Sequence, residues 1–353
     1  MNKPVKIGGQ FIGKGYPPFV VAEMSGNHNQ SLKIALQIVE AAAMAGVDAI
    51  KLQTYTADTI TIDGDSGDFF IDDPESLWKG QSLYKLYQKA YTPWDWHEPI
   101  FNRCRELGVI AFSTPFDETA VDFLESLAAP AYKIASFENN HLPLIKKAAL
   151  TGKPLIISTG MATDSEIKEA VDTARESGCH DIILLKCTST YPATPENTNL
   201  LTMPDMKKRF RVNTGISDHT LSIGVSVAAV ALGAVMIEKH LTLARSQGGV
   251  DSAFSLEPVE MKLLVDEAKK AWQALGKVNY GPVDEEKPSL RFRRSVYVVQ
   301  DIEKGQEFTP ENIRIIRPGL GMHPRYYEDA LGQKASCNIK KGTPLNRDLI
   351  SNN

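Results

Sequence analysis

Two histidines, His219 in "GISDHT" and His240 in "IEKHLT", each close a short β-branched run, and the residues between them read as a small-residue helix. Imidazoles at matching ends of consecutive strands can share one divalent cation, and a carboxylate such as Glu23 or Asp251 can complete the shell. A two-histidine site with open positions binds a substrate oxygen as well as the ion, as a Lewis acid requires. A lone histidine is more often a hydrogen-bonded core residue, so it is the pairing that favours a ligand role. A second constellation is cationic. Lys51 and Lys133 lie within apolar strand-like runs, where an ammonium is costly to bury unless an anion pairs with it. With the hydroxyls of Ser136, Ser158 and Ser217 they form a cradle suited to phosphate and carboxylate oxygens.

These residues need a scaffold that brings strand ends together. Eight runs read as strands: Phe19–Met24, Ala49–Thr54, Val109–Thr114, Ala131–Ser136, Leu155–Thr159, Ile182–Thr188, Val212–Asp218 and Val235–His240. Helical patterns separate most of them. After the first, Leu32, Ala35, Leu36, Val39 and Ala43 fall at helical spacing, with Asn29 or Ser31 as a cap and Gly46 near the end. Such alternation implies parallel pairing, and eight units in roughly 230 residues predict a closed (β/α)8 TIM barrel. A doubly wound open sheet is the alternative, disfavoured because no glycine-rich dinucleotide fingerprint follows the first strand.

In a barrel, chemistry collects at the carboxyl ends of the strands. In chain order those ends offer Glu23, Lys51 with Gln53, Thr114, Lys133 with Ser136 and Glu138, Ser158, Lys186 with Ser189 and Tyr191, Ser217 with His219, and Glu238 with His240. Two segments are less legible. The insertion Asp58–Gln88, with Trp78, Tyr84 and Tyr87, reads as a lid or a packed loop. His28 touches the site or braces its own loop. Beyond the helix Pro258–Leu275 the pattern changes: 1–276 reads as the barrel, 277–289 as a polar linker, and 290–353 as a small β-rich domain with Lys-Gly turns.

Composition narrows the partners. The 353 residues are 42% hydrophobic and 23% charged with a net charge of −4, which gives no footprint for nucleic acid or an anionic membrane. No apolar run approaches the ~20 residues of a membrane span, and the N-terminus lacks a signal-peptide pattern. The four cysteines have no metal-ligand or disulfide-framework spacing and read as reduced thiols of a cytoplasmic enzyme.

The stretches "AEMSGNHN", "IKLQTY", "FSTPFD", "YKIAS", "ISTGM", "KCTSTYPA", "GISDHT" and "IEKHLT" resemble the sialic acid synthase family in order and spacing. The tail from "RRSVYVVQDIEKGQEF" to "CNIKKGTPL" is similar to its C-terminal antifreeze-like (SAF) domain. Within the family, "AEMSGNHN" and "KCTSTYPA" look most like the pseudaminate-forming branch. The N-acetylneuraminate- or legionaminate-forming branches are the alternative. The resemblance implies condensation of phosphoenolpyruvate with an open-chain amino-sugar aldehyde, releasing phosphate by C–O cleavage. For the pseudaminate branch the acceptor is 2,4-diacetamido-2,4,6-trideoxy-L-altrose. It further implies a Mn²⁺ or Mg²⁺ ion on His219 and His240, with Glu238 orienting His240. Phosphoenolpyruvate would lie on Lys51, Thr114, Lys133, Ser136, Ser158, Ser189 and Ser217. Glu23 would activate water, and Gln53, Glu138, Tyr191 and Asp251 would face the sugar or the metal. It also implies a domain-swapped homodimer in which Arg317, in the "RPG" turn, reaches the acceptor. Two readings outside the family remain: a Schiff-base aldolase using Lys133 or Lys186, and a carbohydrate-binding protein without catalysis.

Overall fold

The computed structural model describes residues 2–351. The chain divides into two compact units between Gly276 and Lys277.

The first unit begins with a hairpin, β1 (Val5–Ile7) and β2 (Gln10–Ile12), which the sequence reading did not register. Eight parallel strands then close a barrel: β3 (Phe19–Glu23), β4 (Ala49–Thr54), β5 (Ile110–Pro115), β6 (Tyr132–Ile134), β7 (Leu155–Ser158), β8 (Ile182–Cys187), β9 (Asn213–Asp218) and β10 (Met236–His240). The barrel closes between β10 and β3, where His240 lies opposite Glu23. The open-sheet alternative is thereby excluded. The fourth predicted run, 131–136, shortens to Tyr132–Ile134, because Ser136–Glu138 turns into a 3-10 helix.

The helices start and stop where local chemistry dictates. Helix α1 (Leu32–Ala45) is capped by the Ser31 side chain, which accepts from the Ile34 N–H, while Asn29 sits outside in a left-handed conformation. Gly46 ends it at φ 82°, a conformation that glycine adopts at little cost. The insertion supplies α2 (Ala57–Ile60) and α3 (Leu83–Ala90), and α4 (His97–Leu107) leads into β5. Around the rest of the barrel lie α5 (Glu118–Ser126), α6 (Leu142–Ala149), α7 (Asp164–Glu176), α8 (Thr202–Phe210), α9 (Gly224–Ala231) and α10 (Pro258–Leu275).

Strand side chains alternate between two environments. Val20, Ala22, Ile50, Leu52, Ile157, Leu184 and Ile237 pack against the helices. Phe19, Val21, Ala49, Phe112, Ile156, Ile183, Leu185 and Met236 form a separate cluster inside the barrel. The same inward parity continued toward the carboxyl ends delivers Glu23, Lys51, Gln53, Ser158, Cys187, Ser217, Glu238 and His240 to a cavity above that plug. Residues of opposite parity face the helices instead. Lys239 and Asp218 do so as a fully buried ion pair, Nζ to Oδ2 2.9 Å. Thr220 and Ser226 also bond to the Asp218 carboxylate.

The second unit contains an antiparallel pair, β11 (Ser295–Val298) and β12 (Ile313–Ile316), around its own core of Val296, Val298, Ile302, Phe308, Ile313 and Leu345. Among the described residues no helix is long and apolar enough to cross a membrane.

Candidate active site

At the carboxyl end of the barrel lies a cavity of about 410 Å³. Its floor is ionic. Lys51 on β4 pairs with Glu23 on β3 at 2.6 Å and with Glu238 on β10 at 3.6 Å, and Lys133 on β6 approaches Glu238 at 3.8 Å. All four side chains are nearly inaccessible to water, so each charge depends on the others. Burial pushes the Glu23 carboxyl up, only partly opposed by Lys51, and the Glu238 charge adds to the rise. For Glu238 burial acts in the same direction, but Lys133 and Lys51 outweigh it and hold that carboxyl below its ordinary range. Burial pulls Lys133 down, whereas the attraction of Glu23 and Glu238 overcomes burial at Lys51 and keeps it cationic. The floor thus holds a carboxylate pair that differs in proton affinity, a condition for acid–base work at one site.

Hydroxyls complete the floor. Ser217 Oγ donates to Glu238 Oε1 at 3.3 Å, and the buried Ser158 Oγ has no partner. Ser136 Oγ accepts from the Gly160 N–H at 3.1 Å. The site residues predicted from the sequence are not all equivalent. Thr114 does not border the cavity; it lies behind Lys51 and accepts from its ammonium at 3.1 Å, because β5 passes beside β4 at that level. Ser189 does not border it either. It sits at a crowded corner where a Cβ on Gly160 would come within 2.1 Å of its Oγ and 2.6 Å of that of Ser136. Lys186 has the wrong parity: its ammonium donates to the Cys187 carbonyl at 2.8 Å, outside the cavity.

The two imidazoles meet on one side. Their ring centroids are 5.3 Å apart, and Tyr191 and Phe254 pack around them. His219 Nδ1 lies 3.0 Å from the Thr188 carbonyl, which can only accept, so Nδ1 carries a proton; burial pulls this ring down, but the adjacent Cys187 more than offsets it and holds the imidazole above its ordinary range. His240 Nδ1 is buried without a hydrogen-bond partner, 3.8 Å from Asp251 Oδ2, and burial drives this ring far below the ordinary imidazole range. Ser25 holds the same Asp251 oxygen. Among the described residues no group of three or more His, Cys, Asp and Glu is arranged to hold a metal ion. Two adjacent imidazoles, one with an orphaned buried nitrogen, nonetheless have the chemistry of ligands for a divalent cation.

Gln53 donates to Glu23 Oε1 at 3.0 Å and lines the cavity with Glu138, Tyr191 and Asp251. Burial lifts the Glu138 carboxyl to about 7, against the pull of Lys133 and Lys51. Arg317 belongs to the second unit. His28 braces its loop: its ring bonds Thr92 at 3.2 Å, accepts the Gln30 N–H at 3.2 Å and packs edge-on against Trp96. Sequence reasoning missed Cys187, an inward residue at the end of β8 whose thiol is held at about 7: burial raises it, and the adjacent His219 more than offsets that. Its parity with Ile183 and Leu185 was the available signal.

A closed parallel barrel with an ionic floor and an imidazole pair at its carboxyl end, followed by a small β-rich unit, defines the class: a (β/α)8 barrel with a charged cavity at the mouth. Residues 38–280 match the NeuB family and residues 293–350 the SAF domain. The chain belongs to the NeuB family. It is 45% identical over 336 residues to the pseudaminic acid synthase of Helicobacter pylori, covering 95% of this chain and 98% of that protein. To the N,N'-diacetyllegionaminic acid synthase of Legionella pneumophila it is 36% identical over 342 residues, 94% of each chain. The crystal structure of the spore coat polysaccharide biosynthesis protein spsE of Bacillus subtilis superposes with a TM-score of 0.67 at 34% identity, over 99% of each chain.

Proposed function

We propose that this chain condenses phosphoenolpyruvate with 2,4-diacetamido-2,4,6-trideoxy-L-altrose to give pseudaminic acid and phosphate. The observation that carries this reading is the 45% identity to a pseudaminic acid synthase over 95% of the chain, against 36% to a legionaminate-forming relative. The cavity supports the chemistry. Lys51, Lys133 and the hydroxyls of Ser136, Ser158 and Ser217 receive the phosphate and carboxylate of phosphoenolpyruvate, displacing part of the attraction that Glu23 and Glu238 now provide. His219 and His240 would hold a Mn²⁺ or Mg²⁺ ion, which would supply Lewis-acid polarisation of the acceptor's aldehyde.

C3 of phosphoenolpyruvate attacks the aldehyde carbon, forming the new C–C bond as the C=O π pair moves onto oxygen, which takes up a proton to become the product hydroxyl, and leaving a cationic centre at C2. Water adds to C2, and the tetrahedral intermediate expels phosphate as its C2–O bond breaks. Glu23, raised in pKa and beside Lys51, orients that water and takes its proton. Gln53 fixes the Glu23 carboxylate, and Glu238 keeps the two ammonium groups in place. The protein acts as a cytoplasmic, domain-swapped homodimer in which Arg317 of one subunit reaches the acceptor held by the other.

The test is phosphate release from phosphoenolpyruvate with Mn²⁺ and each candidate sugar, with and without EDTA. Release is expected with the altrose acceptor and is lost with chelator. Robust turnover of N-acetylmannosamine or the legionaminate precursor, with none of the altrose acceptor, overturns the assignment. Borohydride trapping of a lysine adduct that survives chelation would instead support the Schiff-base reaction.

A further inference from the structure

The cavity has two chemically different sides. Beyond the strand ends that form the ionic floor the lining turns apolar: Ile60, Ile71, Trp78, Leu86 and Tyr87 form this wall, and all five come from the insertion between β4 and β5, at the carboxyl end of the barrel. The Trp78 indole N–H donates to the Val250 carbonyl at 3.0 Å, which ties the insertion to the loop after β10 and leaves ring carbons for the cavity. Ile71 is fixed at the base of the loop 71–81, its N–H donating to Gln81 O at 3.0 Å and its carbonyl accepting from Gly80 N–H at 2.8 Å.

Phosphoenolpyruvate, anionic at both ends, has no use for such a wall. A fully hydroxylated sugar chain is also a poor match, since each hydroxyl desolvated there without a partner costs free energy. The direction of the reaction decides what reaches the wall. The aldehyde carbon must meet C3 of phosphoenolpyruvate at the floor, so the opposite end of the acceptor, C6, is carried outward toward the insertion.

Resting on the acceptor chemistry given above, we propose that Ile60, Ile71 and Trp78 are specificity-determining residues that receive the C6 methyl group of a 6-deoxy acceptor and select against a C6 hydroxymethyl group. Specificity of this kind is bounded by what one hydroxyl costs in an apolar pocket, about 10- to 100-fold in kcat/KM.

The experiment compares kcat/KM for 2,4-diacetamido-2,4,6-trideoxy-L-altrose with that for its 6-hydroxylated analogue, in the wild type and in Ile60→Thr, Ile71→Thr, Ile71→Val and Trp78→Phe. The wild type is expected to favour the 6-deoxy sugar at least 10-fold. Ile60→Thr and Ile71→Thr reduce that ratio several-fold, Trp78→Phe and Ile71→Val largely keep it, and KM for phosphoenolpyruvate stays unchanged, which also shows that each variant folds. Equal use of both altrose sugars by the wild type, or a ratio unmoved in both threonine variants, overturns this inference while leaving the reaction intact. A wild type that ignores both altrose sugars yet turns over N-acetylmannosamine, a 6-hydroxylated acceptor, overturns the acceptor assignment and the inference together.

Discussion

Glu138 and Lys51 show how individual side chains in this cavity are set by burial and charge. Glu138 is lifted to about 7 chiefly by desolvation, from an ordinary 4.5, and its Oε2 has no partner. Its folded state therefore binds a proton more tightly than the unfolded chain between those two values, so its contribution is most favourable at low pH and is lost as pH rises from 4.5 to 7. Glu138→Gln is accordingly expected to stabilise the ligand-free protein by about 2–3 kcal/mol at pH 8 and to have almost no effect at pH 4. Urea titrations at the two pH values measure this, and equal effects at both would refute the burial argument. Lys51 represents the opposite case, a buried cation that two carboxylates retain. Lys51→Met leaves Glu23 and Glu238 with Lys133 alone. It should cost about 3 kcal/mol of stability and raise KM for phosphoenolpyruvate at least 30-fold, as judged by urea titration and phosphate release.

At the scale of elements, the alternation of each strand decides which residues can act. Inward parity runs from Phe19 through Val21 to Glu23, and from Met236 through Glu238 to His240, so the barrel and most of the cavity floor were legible from a period of two. Parity fails where strands stop. Ser136 and Glu138 lie on a 3-10 turn, and Ser189, which the resemblance assigned to the anion bed, lies past the end of β8 and packs beside Gly160 without lining the cavity. Nothing periodic betrayed the apolar wall either. Its residues come from short turns and half-helices whose side chains are ordered by tertiary contacts such as Trp78 on Val250. The corner itself makes a prediction. Asn139 donates to the Gly160 carbonyl at 3.0 Å, and a Cβ on Gly160 would collide with Ser136 and Ser189. Gly160→Ala should displace both serines, cost about 1–3 kcal/mol and weaken phosphoenolpyruvate binding about 10-fold, with the acceptor KM much less affected. Unchanged KM values would mean that this corner does not support the anion bed.

For the whole molecule, the proposed domain-swapped homodimer carries its own test. The second unit carries Arg317, and the barrel carries the cavity. If each cavity is completed by the other subunit's small domain, a mixture of Lys51→Met and Arg317→Ala chains should recover activity that neither has alone. Random reassociation would make half the dimers mixed, and in each mixed dimer one cavity has an intact barrel facing an intact arginine, up to a quarter of all cavities. Unfolding and refolding the two variants together, then measuring phosphate release, checks this. No recovery in verified mixed dimers would place Arg317 in the same chain's site or in none.

The most direct test of the account follows the oxygen that bridges C2 and phosphorus in phosphoenolpyruvate. With that atom labelled as ¹⁸O and the altrose acceptor present, attack of water at C2 predicts that the label leaves with inorganic phosphate, which mass spectrometry reads as phosphate two mass units heavier. Recovery of the label in the keto acid would show cleavage between phosphorus and oxygen, and would contradict the roles given to Glu23 and the two lysines.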